Sequence, residues 1–218
     1  MIDLVILDCD GVLVDSEPIS NRILTGMLGE IGLPLSEEET TREFVGRSME
    51  DCWRIIEQRL GRTVPDGFAA RYDRLLLKAF RRELRPVRDV AEALERIPQP
   101  LCVASSGSLE KIRTSLGLTG LLPRFENRLF SAEEVNHGKP APDLFLYAAR
   151  RMGAEAERCV VVEDSPRGVR AGVAAGMTVL GYAERSAAAE LGAEGARCFD
   201  RMRELPELLD VVAGRASG

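Results

Sequence analysis

The chain has 218 residues, 45% hydrophobic and 29% charged, with 29 Lys and Arg against 35 Asp and Glu for a net charge of −6. A chain of this size buries a core without staples, and no basic run exceeds a pair such as Arg81-Arg82, so the footprint of a nucleic-acid binder is missing. Its five cysteines form no CxxC pair and read as reduced thiols, the "MID" start carries no basic leader, and no apolar run approaches membrane-spanning length. No nucleic-acid or membrane partner is expected, and the expected compartment is the cytoplasm.

The first apolar run, "LVIL" (4–7), reads as a strand that ends at Asp8. From Ser16 to about Arg85 no strand is expected. Ile19, Ile23, Met27 and Ile31 recur every four residues and predict a helix over 17–31. "SEEE" (36–39) and "SMED" (48–51) are Ser-x-x-acid capping patterns that open two more helices, and 66–84 reads as a long one. Beyond it, strands expected at 101–104, 128–130, 159–163 and 178–182 alternate with helices expected at 87–97, 108–117, 142–152, 166–176 and 186–192. The run at 159–163 lacks polar alternation, as a strand buried on both faces does. Such alternation predicts an α/β fold with a doubly wound parallel sheet. The helical stretch reads as a second domain over 16–86 inserted into a core of 1–15 and 87–218, with linkers near 13–17 and 84–88.

The chemistry gathers at the expected strand ends, where open parallel sheets bind ligands. Asp8 and Asp10 sit two residues apart, so a continuing strand would turn both to one side, and Gly11 permits a sharp turn after them. Ser105-Ser106-Gly107-Ser108 offers hydroxyl and backbone N–H groups at the start of a helix, a setting that suits an anion. Lys139 lies between Gly138 and Pro140, and Pro140 and Pro142 are expected to hold that segment extended, giving the lysine a fixed place. Glu163 and Asp164 end the most apolar strand, where two acids are costly unless they hold a cation or a hydrogen-bond network. The carboxylates of Asp8, Glu163 and Asp164 are hard ligands of the kind Mg²⁺ takes. The lone His137 reads as a loop residue, Cys9 as packing, and Trp53 as core of the helical domain.

Taken together, "DCDGVLVDS", "VASSG", "HGKPAPD" and "VVVEDSPRGVRAG" resemble the four sequence motifs of the haloacid dehalogenase superfamily, in order and at suitable spacing from residue 3 to about 183. The resemblance implies a Rossmann-like core with an α-helical cap. It assigns Asp8 as the nucleophile that forms an aspartyl-phosphate and Asp10 as the general acid/base, whose backbone carbonyl also ligates metal. It further implies that Ser105 and Lys139, with Ser106 beside them, hold the transferring phosphoryl group, and that Glu163 and Asp164 complete a Mg²⁺ site.

Within the superfamily the expected reaction is hydrolysis of a small phosphorylated metabolite, a sugar or sugar-acid phosphate, by a monomer or weak homo-oligomer. The alternatives are a phosphosugar mutase of the β-phosphoglucomutase type and a non-catalytic regulatory protein. A dehalogenase is disfavoured because those members lack the second acid, here Asp10. Against the mutase, Ser20 stands where those enzymes carry a histidine, and Val45 and Met49 replace a cap lysine and arginine. The "DSEP" segment (15–18) instead resembles the phosphatases of the same subgroup. Arg47 is the candidate for an anionic or hydroxylated part of the substrate, and Glu17 for its hydroxyls.

Overall fold

The computed structural model describes residues 1–44, 47 and 49–214. It divides into two compact units, Met1–Asp15 with Pro86–Gly218, and Ser16–Arg85. In chain order the elements are β1 (Leu4–Leu7), α1 (Glu17–Glu30), α2 (Glu37–Phe44), α3 (Met49–Leu60), α4 (Phe68–Glu83), α5 (Val90–Glu95), β2 (Leu101–Ser105), α6 (Leu109–Leu118), β3 (Leu129–Ser131), α7 (Asp143–Met152), β4 (Cys159–Glu163), α8 (Pro166–Ala174), β5 (Thr178–Tyr182), α9 (Ala188–Ala193), β6 (Arg197–Phe199) and α10 (Leu205–Val212).

The larger unit is a six-stranded sheet of order β3-β2-β1-β4-β5-β6, with every neighbouring pair parallel. Successive strands step outward from β1 through β2 to β3, and the next three leave from the other side of β1. The order therefore reverses between β1 and β4, the topological switch point of a doubly wound sheet. In register, Leu7 pairs with Val162, so the residues that follow β1 and end β4 emerge side by side. All residues of β1, β2 and β4 are buried, which explains their unbroken apolar runs. Leu4, Ile6, Cys102, Ala104, Val161 and Val179 form one sheet face beneath Leu144, Phe145 and Ala148 of α7 and Val169 and Ala171 of α8. Burying a side chain such as Phe145 contributes about 1.5–3 kcal/mol.

The smaller unit is helical. On α4, Phe68, Tyr72, Leu76 and Phe80 recur every four residues and are all buried. On α1 the buried stripe is Ile19, Leu24, Met27 and Leu28. Ile23, expected inside, is only half-buried, whereas Leu24 beside it is buried. The capping box expected at "SEEE" is formed: Ser36 N donates to Glu39 Oε2 at 2.8 Å, and Glu39 N donates to Ser36 Oγ at 3.1 Å. The second capping pattern rests on Ser48, which lies outside the described residues. Trp53 packs edge-on against Phe68 and Tyr72, inside this unit.

The two chain segments at the start and end of the insertion are tied together within the larger unit. Val14 bridges Pro86, and Val87 N donates to Leu13 O at 2.9 Å. The third expected strand begins one residue late, at Leu129. No helix among the described residues is long and apolar enough to cross a membrane.

Candidate active site

Asp8 follows β1 directly, and its N–H donates to Val162 O at 3.0 Å, so the β1–β4 ladder carries on through it. Its side chain is buried, as are those of Lys139, Glu163 and Asp164. Lys139 Nζ lies 2.6 Å from Asp8 Oδ1, 2.6 Å from Glu163 Oε1 and 3.0 Å from Ala104 O, which commits all three of its protons. Its ammonium also sits 4.8 Å from the centroid of the Phe145 ring. Three strand ends, β1, β2 and β4, thus converge on one lysine.

A lysine reaches this place through a turn. The expected extended segment is not what forms: Ala141 N donates to Gly138 O at 3.0 Å, the Lys139–Pro140 bond is cis, and Pro142 already has helical backbone angles as the cap of α7. The prolines shape a tight turn rather than a strand-like run, and Arg167 Nη2 closes it by donating to Lys139 O at 2.7 Å. The expectation that Lys139 has a fixed place holds in the burial and contacts of its side chain.

Glu163 has two duties visible in its contacts. Oε1 accepts from Lys139, while Oε2 accepts from Asp164 N (2.9 Å), Ser165 N (2.9 Å) and Ser165 Oγ (3.0 Å). The carboxylate is spent on the lysine and on the turn between β4 and α8. Gly168 makes room for this arrangement, since a Cβ there would sit 1.8 Å from Glu163 Oε1. Gly168→Ala is expected to lower stability by about 1–3 kcal/mol through overpacking and to reduce turnover with it, checked by urea denaturation and phosphate release. Unchanged stability would mean that Glu163 has another place to go.

Gly11 plays the same part for Asp164. Its φ is +79°, a region that L side chains rarely adopt, and a Cβ there would meet Asp164 Oδ2 at 1.8 Å. The loop carrying Asp10 can therefore lie directly against Asp164. Asp10 is partly exposed, and its Oδ2 is 2.7 Å from Lys111 Nζ, a residue that sequence reasoning passed over. Ser105 is buried at the end of β2, with its Oγ accepting from Gly107 N at 3.2 Å, whereas Ser106 is exposed. Glu17 and Arg47 belong to the helical unit. Glu17 is half-buried in the first turn of α1, and Arg47 is exposed with its Nε donating to Glu43 O at 2.6 Å. His137 is an exposed loop residue 3.2 Å from Asp143 Oδ1, and Cys9 is buried.

Charge and burial oppose each other here. Burial pushes the Asp8 carboxyl up to about 7; Lys139 pulls it down, and Glu163 and Asp10 push it up further. For Lys139, burial works against the charge, yet Asp8 and Glu163 hold the ammonium well above its ordinary range. Among the described residues no group of three or more His, Cys, Asp and Glu side chains is arranged to hold a metal ion. With Glu163 engaged, the remaining donors are the carboxylates of Asp8 and Asp164 and the carbonyl of Asp10. That all-oxygen set of one or two carboxylates fits Mg²⁺, which keeps several waters and takes its other ligands from substrate phosphate.

A family model for haloacid dehalogenase-like hydrolases matches residues 2–176. The chain belongs to that family. Among curated members of this hydrolase family, it is 32% identical over 208 residues to the 6-phosphogluconate phosphatase of Escherichia coli K12, covering 95% of this chain and 94% of the relative. It is 33% identical over 180 residues to hexitol phosphatase A of the same organism, covering 80% of each. A solved haloacid dehalogenase-like protein of Agrobacterium tumefaciens C58 superposes with a TM-score of 0.86 at 33% identity, over 98% of this chain and 100% of that one.

Proposed function

We propose that this phosphatase hydrolyses a small phosphorylated sugar or sugar acid, with Mg²⁺ and through an aspartyl-phosphate on Asp8. The observation that carries the reading is the Asp8–Lys139–Glu163 cluster: a buried carboxylate at the switch point of the sheet, held by a single oxygen by a buried lysine. The phosphatase names of relatives that span nearly the whole chain support the substrate class.

In the first step an Asp8 oxygen attacks phosphorus and the P–O bond of the ester breaks. Asp10 gives its proton to the departing oxygen. In the second step Asp10 takes a proton from water, the water oxygen attacks phosphorus, and the Asp8–phosphorus bond breaks to release phosphate. Splitting one displacement in two is what a covalent nucleophile contributes, and a positioned acid/base is worth roughly 10²–10⁴-fold. Ser105 and Lys139 hold the phosphoryl oxygens, the lysine chiefly through charge because its protons are already committed. Asp8, Asp164 and the Asp10 carbonyl would hold Mg²⁺, which supplies charge neutralisation at the phosphoryl group. Glu163 orients Lys139 from behind. Arg47 and Glu17, both in the helical unit, read the part of the substrate that is not transferred.

The test is phosphate release from a panel of sugar phosphates, phosphogluconate, phosphoglycolate and glucose 1-phosphates, each with Mg²⁺ and with chelator. Release that needs Mg²⁺ is expected. Conversion of β-glucose 1-phosphate to the 6-phosphate without release would instead make the protein a mutase. Arg47→Ala is expected to raise KM for the best substrate of the panel about tenfold, the cost of roughly one lost charged contact, while leaving that for an aryl phosphate unchanged. Equal effects on both esters would remove Arg47 from substrate recognition.

A further inference from the structure

We propose that Lys111 is a positioning residue for Asp10, setting the place of the carboxyl that serves as acid and then as base; the proposal rests on the phosphatase reading above. Asp10 lies beyond the end of β1, in a loop whose Gly11 and Val14 turn the chain back, so no strand ladder fixes its side chain. The ammonium of Lys111 meets that side chain, 2.7 Å from Oδ2, with both side chains between a quarter and a third exposed.

The lysine is itself well anchored. It occupies the first turn of α6, where its backbone N–H is the one that the Ser108 cap accepts, at 3.2 Å. Its stem passes Gly107: a Cβ built there would lie 3.3 Å from Lys111 Cδ, 3.7 Å from Ser105 Oγ and 3.9 Å from Asp10 Oδ2. The phosphoryl-binding turn, the acid/base and Lys111 therefore share one small space. A cation in the first turn of a helix opposes the helix dipole, so the stability of α6 does not account for this residue. Its pairing with Asp10 does, and the pairing joins the loop after β1 to the turn after β2. Misplacing a reacting group by about an ångström can cost on the order of 10²-fold, which makes such a tie valuable to a residue used in both steps.

The experiment compares Lys111→Met and Lys111→Arg with the wild-type protein on two esters. A sugar phosphate has an alkoxide leaving group that needs a proton, whereas p-nitrophenyl phosphate releases a stable anion that does not. For Lys111→Met we expect kcat on the sugar phosphate to fall about 30-fold or more, within the range of lost acid/base catalysis, with KM changed less than about threefold. On p-nitrophenyl phosphate the first turnover should stay near the wild-type rate, giving a burst of one equivalent of nitrophenolate followed by slow release of phosphate. Lys111→Arg should recover most of the activity. Equal losses on both esters in the first turnover would overturn the proposal, and so would a rise in KM alone, which would make Lys111 a substrate contact. A crystal structure of Lys111→Met is the second readout, independent of turnover. Asp10 displaced or in several rotamers supports the proposal, and Asp10 unmoved overturns it. If the wild-type protein releases phosphate from no ester, the phosphatase reading fails, and that structure still decides whether Lys111 sets the place of Asp10.

Discussion

Asp8→Asn is expected to lower phosphate release by at least about 10⁴-fold, the scale on which removing a covalent nucleophile acts, without loss of the fold. The amide keeps the size of the carboxylate but cannot form the ester to phosphorus. Its effect on stability should be small or favourable. Burial holds the Asp8 carboxyl at about 7, so its charge above that pH is a cost of folding, retained for the chemistry. Removing it leaves Lys139 paired with Glu163 alone, one cation with one anion in a buried setting. Thermal melts in chelator at pH 8 should place the variant at or above the wild-type protein, while phosphate release shows it inactive. A variant that kept a tenth of the activity would exclude Asp8 as the nucleophile.

Lys139→Met should act on both stability and activity. The lysine neutralises two buried carboxylates, and removing it leaves Asp8 and Glu163 facing each other across the place it filled. Deleting one partner of a buried ionic cluster costs about 3–5 kcal/mol. The loss should depend on pH with a definite sign. A carboxyl whose pKa rises on folding binds its proton more tightly in the folded state. The stability this gives is fully present below the unfolded value and is lost as pH climbs through the folded one. For Asp8 in the wild-type protein that window runs from its ordinary 3.8 to about 7. Without Lys139, whose charge lowers that pKa, the window extends to higher pH. Urea denaturation of the metal-free variant should therefore show the deficit shrinking on acidification from pH 8 to pH 5. A deficit independent of pH would mean that the cost is one of packing.

The fold was readable in the sequence where burial on both faces leaves no polar residue in a strand, as at 4–7 and 159–163. It was also readable where a helix repeats its apolar residues cleanly, as α4 does. The chain beyond residue 193 was less legible. Strand β6 is three residues long and at the sheet edge, with only Phe199 buried, so it carries neither a run nor an alternation. Helix α10 follows it without a side-chain cap to mark its start.

At the site, the residues that end strands announced themselves because an acid after an apolar run is an expensive placement. Lys111 gave no such signal, since a lysine in a helix ordinarily reads as part of a solvated face. Its pairing with Asp10 depends on how β1 and β2 lie side by side. The same holds for Glu163: the sequence marks a buried acid, but only the turn of β4 into α8 shows that two backbone amides and a hydroxyl fill one of its oxygens. The glycines at 11 and 168 are legible afterwards as clearances for two carboxylates.

An aspartyl-phosphate on Asp8 is tested by finding the phosphoryl group on the enzyme. The protein would be mixed with a ³²P-labelled sugar phosphate and Mg²⁺, quenched in acid within milliseconds, digested and mapped. Label is expected on the peptide that contains Asp8, with its loss on treatment with hydroxylamine and no label in Asp8→Asn. Turnover with no labelled enzyme at any time, or label on a different residue, would contradict an aspartyl-phosphate on Asp8.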